Sequence, residues 1–195
     1  MSSFHYRWVA RAAVLLLLVS TLAIGLIASG VLDPRPAGTL RWQLKERRMQ
    51  LTAQSREIIW LEDQVPAAPI TIRLTAAHEM GEEDIGYGLV LGDETSYLAV
   101  AISPLGYLAI WESDGTVDSY LLPWQTWPHV ETESSPNELW VDIVGNRAAV
   151  RINREWLWEG EIRNSSGKTG LLGESFAKPA VIDFETVELF AENDA

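Results

Sequence analysis

Cysteine is absent from the 195 residues. That excludes disulfide staples, thiolate nucleophiles, cysteine-ligated metal and a lipidated N-terminal cysteine. It leaves the compartment open, since exported bacterial domains often do without cysteine. Histidine is scarce: His5, His78 and His129 stand far apart in sequence, and the His78–Glu79 pair lacks the second histidine that a helical zinc motif requires. Positive charge is scarce too. Beyond residue 35 there are 12 basic against 26 acidic side chains, a net of -14. Such a field repels phosphate backbones, so nucleic acid is not an expected partner. Long amphipathic helical patterns are also missing after residue 39.

Two features are abundant instead. The first is an uncharged run, AAVLLLLVSTLAIGLIASGVL, over residues 12–32. Its 21 residues are long enough to cross a bilayer as a helix. The reading favoured by that length is an uncleaved anchor in the lipid bilayer. The other is a signal peptide with Ala28-Ser29-Gly30 as a small-x-small site. Arg7 and Arg11 favour an N-terminus on the inside. Arg35, Arg41, Lys45, Arg47 and Arg48 on the far side oppose that orientation by simple counting. The second feature is tryptophan, nine in all, which suits wide cores and sugar or protein contact surfaces alike.

The remainder reads as short strands. A tail (1–11), the span (12–32) and a Pro/Gly linker (33–39) precede a domain over 40–190, and 191–195 form a second tail. Ile70, Ile72 and Leu74 alternate with Thr71, Arg73 and Thr75, the period-2 pattern of a strand. Turn signals separate some twelve or thirteen such segments, including Ser113-Asp114-Gly115, Ser135-Pro136-Asn137 and Gly145-Asn146. The expected architecture is all-β: a two-sheet antiparallel jelly-roll sandwich preceded by one N-terminal transmembrane helix.

Tyrosines at 87, 97 and 107 mark a ten-residue beat. With GDET (92–95) and SPLG (103–106) as four-residue loops, Tyr87, Tyr107 and Trp111 share the bulky core face, while Tyr97 faces away. One residue more or less in either loop reverses the assignment.

Four stretches carry a resemblance. They are GYGLVLGDETSYLAVAISPLGYLAIW, NELWVDIVGNRAAVRIN, GKTGLLGESF and PAVIDFETVELF. Together residues 84–190 resemble the bacterial concanavalin A-like lectin/glucanase domains, or laminin-G-like jelly rolls, of the membrane-tethered kind. The closing strand departs from that pattern, with Glu185-Thr186 where Asp-Asn is usual. The resemblance implies an extracytoplasmic domain on a bacterial cell membrane. It implies no single activity, because sugar binders, glycosidases and structural domains share the fold. The Glu-x-Asp-x-x-Glu strand of familiar glycosidases in that group has no match here.

Candidate sites are few. Trp124 and Trp127, between Pro123 and Pro128, are rigid aromatics suited to stacking on a sugar or anchoring a protein, and Tyr97 is grouped with them. Glu79, Glu82, Glu83 and Asp84 form the densest acidic cluster. With Asp183 they are the candidate ligands for calcium, the one cofactor considered; a solvated loop is the plainer reading. Glu131 with Glu133 and Glu159 with Glu161 are possible carboxylate pairs. No catalytic residue is assigned. The main functional expectation is a noncatalytic interaction module with a protein partner, such as an accessory subunit of a membrane complex. A carbohydrate-binding domain and a glycoside-directed enzyme are the alternatives.

Overall fold

The computed structural model describes residues 3–29, 33–66 and 69–192; positions 1–2 and 193–195 of the expected tails, 30–32 of the expected span, and 67–68 lie outside the described residues. Residues 1–35 and 36–195 are separate units. The first is built on α1 (Ser3–Ala28). The helix therefore starts within the expected tail and takes in Arg7 and Arg11. Its 26 residues extend about 39 Å at 1.5 Å each, against a hydrocarbon core of roughly 30 Å. Residues Arg11–Ala28 are apolar enough to cross a membrane, with mean hydropathy 2.3, and Leu15 to Leu18 expose 62–72% of their surface.

The second unit is all-β. Its twelve strands are β1 (Thr39–Leu51), β2 (Arg56–Val65), β3 (Ile70–Gly81), β4 (Ile85–Gly92), β5 (Tyr97–Ile102), β6 (Tyr107–Ser113), β7 (Asp118–Thr126), β8 (Asn137–Val144), β9 (Arg147–Ile152), β10 (Glu155–Glu161), β11 (Gly167–Ser175) and β12 (Ala180–Ala191). They form two six-stranded sheets, β1-β12-β3-β8-β9-β10 and β2-β11-β4-β5-β6-β7, antiparallel throughout. This is the expected jelly-roll sandwich. Ile70, Ile72 and Leu74 point inward as the alternation predicts, though Thr71 on the other face is also sealed. The inner faces meet in one core that includes Met49, Tyr87, Ile110, Val150, Leu171 and Phe184. Each large apolar side chain so buried contributes about 1.5–3 kcal/mol.

The tyrosine meander corrects the expected register. Leu91 pairs with Leu98, a shift of two that leaves the β5 faces as expected. Ile102, however, pairs with Leu108 and not with Tyr107. Gly106 turns at φ 83 and Tyr107 is an extra residue in the hairpin. That single residue reverses β6. Leu108 and Ile110 enter the core, while Tyr107, Ala109 and Trp111 join Tyr97 on the outer face. A bulge acts likewise in β10. The sequence puts Trp156 and Trp158 on one face, yet the register shifts between them. Trp158 packs on the core and Trp156 lies outside over Arg151.

On the outer face of the first sheet the central arginines are held by their own neighbours. Arg73 sits between the Trp140 and Phe190 rings, at 5.6 and 5.4 Å, and pairs with Glu188; Arg151 lies 4.6 Å over Trp156 and 3.5 Å from Asp142.

Candidate functional site

The outer face of the second sheet is different in kind. Down its middle run small residues: Gly86 and Gly88 on β4, Gly170 on β11, Ala99 and Ala101 on β5, and Ala109 on β6. Larger side chains fold over this floor from both edges. From β2, Trp60 reaches Tyr97, with ring centroids 6.1 Å apart and edge-on. From β7, Trp124 covers Gly86, where an added Cβ would sit 2.9 Å from the indole, and it packs against Trp111 and Phe176. The result is a second, smaller core of Val90, Tyr97, Ala99, Ala101, Ala109, Trp111 and Leu172.

An ion pair shows how strongly this sheet is curved. Arg56 lies on β2 and Asp118 on β7, the two opposite edges. Five strand gaps would separate them by about 24 Å in a flat sheet. Their side chains nevertheless meet at 2.7 Å, so the outer face is a trough whose rims converge there. Arg56 also binds Glu174 at 2.9 Å and lies 5.4 Å over the Trp111 ring. Burial works against its charge, but the two carboxylates outweigh that and hold the guanidinium ionised. Burial pushes the Glu174 carboxyl up, and Arg56 opposes it. Beneath this strap Trp111 has 0% exposure.

Cavities lie at both ends of the trough; one of about 420 Å³ is lined by Gln54, Ser55, Arg56, Glu174, Ser175 and Phe176. The other, of about 500 Å³, is lined by Trp60, Gln64, Gly92, Asp93, Glu94, Thr95, Gly167 and Lys168. Trp60, half-buried, is its aromatic wall. The floor needs glycine. Gly92 and Gly167 have φ of 142 and 122, and a Cβ on Gly167 would lie 2.3 Å from the Gly92 carbonyl oxygen. The β4–β5 loop at the rim is pre-shaped. Asp93 Oδ1 accepts from the Thr95 amide (2.8 Å), the Thr95 hydroxyl (2.6 Å) and the Ser96 amide (3.0 Å). Those bonds hold its carboxyl below the usual carboxylate range. Asn164 Nδ2 ties the loop to β11's approach by donating to Ser96 Oγ at 2.8 Å. A larger cleft, about 600 Å³, is lined by Lys45, Glu46, Arg48, Asp183, Glu185 and Thr186. It has no aromatic wall and mixes both charges.

The expected aromatic trio divides. Tyr97 and Trp124 share the trough, Tyr97 at 6% exposure and Trp124 half-buried within β7, outside any loop. Trp127 instead packs on the main core and against His129, with centroids 6.0 Å apart. The expected calcium ligands do not converge. Glu79 pairs with Arg48 across β12, the strand that carries Asp183, so its carboxylate is committed to a guanidinium. Glu82 pairs with Lys178 at 3.5 Å, and Glu83 and Asp84 lie exposed in the turn before β4. Among the described residues no three His, Cys, Asp or Glu are grouped to hold a metal. Glu131 and Glu133 lie in an exposed turn, with Glu133 at φ 62, and Glu159 is paired with Arg147. Sequence reading missed Trp60 and Arg56, and weighed Lys168 only as a phosphate-loop lysine, which the incomplete motif excludes. The alternation of Arg56, Ile58 and Trp60 was the available signal, but which face they line depends on a pairing across the fold.

No protein-family model matches the sequence, and no curated protein is significantly similar to it. Solved structures are similar in fold. A carbohydrate binding module, CBM66 of Bacillus subtilis, superposes with a TM-score of 0.60 at 12% identity, over 73% of this chain and 86% of that one. A β-glucanase of Bacillus licheniformis gives 0.56 at 10% identity, over 81% and 92%. A Saccharomyces cerevisiae protein of unknown function gives 0.56 at 8%, over 81% and 94%. The folded unit is a concanavalin A-like jelly roll.

Proposed function

We propose that the chain is a noncatalytic carbohydrate-binding domain tethered to a bacterial membrane by α1, with its ligand seat at the Trp60 end of the trough. The observation that carries this is the cavity of about 500 Å³ with an indole on one side and Gln64, Asp93, Thr95 and Lys168 around its rim. A sugar ring has an apolar C–H face and a belt of hydroxyls, and aromatic stacking plus a few fixed polar groups is the chemistry that recognises it. The likeness to a carbohydrate binding module in fold agrees with this use of the surface.

Catalysis has one feature in its favour. Glu174 and Asp118 are two carboxylates in the same trough, and cleavage of a glycosidic bond uses such a pair. Both are held by Arg56. Carboxylates already accepting hydrogen bonds from one guanidinium are committed to that partner, which supports a binding role. The accessory-subunit reading has less to rest on, because the exposed apolar side chains of the domain, such as Leu40, Met80, Leu105, Val117 and Val144, lie on different elements.

An extracytoplasmic domain also becomes easier to reconcile with charge. Arg41, Lys45, Arg47 and Arg48 all belong to β1, within the folded unit. Folded domains translocate largely regardless of charge. That leaves Arg7 and Arg11 before the span against Arg35 after it.

The test is binding of the full chain, in lipid nanodiscs free of sugar-headed detergent, to a panel of immobilised polysaccharides. At least one should bind, and Trp60→Ala should weaken that binding by about tenfold or more, the loss of roughly 1.4 kcal/mol or more expected for an aromatic anchor. Equal binding by the variant would move the seat elsewhere.

A further inference from the structure

The two cavities of the trough lie on one flank, where β2 and β11 run side by side. The register of these strands places them. At one end Gln64 is opposite Lys168, and at the other Arg56 is opposite Glu174. The first pair lines the Trp60 cavity of about 500 Å³, and the second pair lines the cavity of about 420 Å³. From Lys168 to Glu174 is about 20 Å of extended strand. Ile58, half-buried on the same outer face, lies between the two cavities and packs on the trough's small core.

Both cavities have the same chemical make-up. Each has an aromatic ring: Trp60, half-buried, in the first and Phe176, 40% exposed, in the second. Each sets neutral polar side chains beside the ring, Gln64 and Thr95 in the first, Gln54 and Ser55 in the second. Each opposes two carboxylates to one cation: Asp93 and Glu94 to Lys168, and Glu174 and Asp118 to Arg56. The polar edge of the second cavity is fixed in advance. Arg56 donates to Glu174 Oε1 from Nε at 3.1 Å and from Nη2 at 2.9 Å, and to Asp118 Oδ2 from Nη1 at 2.7 Å. Groups already held in place lose less freedom when a ligand arrives.

Resting on the carbohydrate reading above, we infer that the Phe176 cavity is a second sugar subsite, and that one uncharged glycan chain spans both seats along the β2–β11 flank. The two seats open on one face and are aligned by the same pair of strands, so a linear chain meets both. A chain that holds one seat presents its further residues to the other at high effective concentration. The uncharged class follows from the surplus of carboxylate at each seat and from the net of -14 beyond residue 35, which repel uronic-acid, sulfated or phosphorylated polymers.

Two seats predict a step in affinity with ligand length. The probes are glucan, mannan, xylan, galactan and fructan fragments, each series running from the disaccharide upward, titrated against the full chain in nanodiscs. In the series that binds, short fragments should bind weakly. The half-saturating concentration should then fall about tenfold or more at the length that reaches the second seat. In Phe176→Ala that fall should vanish, while the disaccharide still binds at Trp60. Phe176 packs on Trp124, so Phe176→Leu, which keeps an apolar cover there and removes the ring, reads the same loss should the alanine protein fail to fold. An affinity flat with length, or a step retained in a folded Phe176 variant, would overturn the second seat and leave carbohydrate binding at Trp60 intact. Binding by none of the five series would overturn both.

Discussion

At the scale of single residues, the most constrained polar groups are not in the trough but at the end of the sandwich. Asn137 is 1% exposed. Its amide donates to the Glu131 carbonyl at 2.9 Å and its carbonyl accepts from Asn153 Nδ2 at 2.9 Å and the Glu131 amide at 2.8 Å. Asn137→Ala leaves those partners unsatisfied and should cost about 2–3 kcal/mol, read as a lowered urea midpoint. Asn137 also lies 3.5 Å from the hydroxyl of Tyr87. Burial pushes that phenol up to about 12, the asparagine acting the other way. A raised phenol keeps its stabilising contribution below the unfolded value of 10.0 and loses it as pH rises towards 12. Stability should therefore fall across that window, and Tyr87→Phe should make the fall shallower in urea midpoints compared on either side of pH 10. The Asn and Tyr were visible in the sequence only as a turn signal and a strand residue. Their meeting depends on β4 and β8 facing each other across the core, which no local pattern encodes.

At the scale of elements, strand existence was legible, and facing was legible for β3 and β5 but not for β6 or β10. Alternation marks β3, β5 and β6 plainly, because a buried face must be apolar every second residue. What alternation leaves open is which of two apolar faces is inward. In β6 both Leu108–Ile110 and Ala109–Trp111 qualify, and one additional residue after Gly106 decides between them. The same ambiguity hid the trough, since Tyr97 and Trp111 lie on a face that is nearly as apolar as the core. That second face is packed tightly enough to test. Ala101 is 0% exposed and lies beside the Gly86–Trp124 contact. Ala101→Val should lift Trp124, costing about 1–3 kcal/mol by overpacking, with a red shift of tryptophan emission as the indole meets water. An unchanged spectrum and midpoint would mean that the trough has room to spare.

At the scale of the whole molecule, the sheet order ties the two ends of the domain together. β1 pairs with β12 alone, and β12 fills the gap between β1 and β3. A chain halted at Pro179 would leave β1 with no bonding partner and β3 with β8 alone, and would uncover Met49 and Leu74 in the core. It should remain unfolded by near-ultraviolet circular dichroism, whereas residues 36–195, which carry their own core, should fold without α1. Pairings this distant in sequence also fold slowly, on the order of milliseconds to seconds for all-β domains of this kind.

The β1–β12 pairing has a consequence in time. The first strand made is thirteen residues long, and its one bonding neighbour is the last strand made. Throughout synthesis β1 waits with both edges bare beside a membrane-competent helix. Its charges are suited to that wait: Arg41, Lys45, Glu46, Arg47 and Arg48 interrupt the strand so that it repels copies of itself on neighbouring nascent chains. In the finished fold β1 stays at the sheet's border, so the same residues that guard the nascent chain go on guarding the mature one.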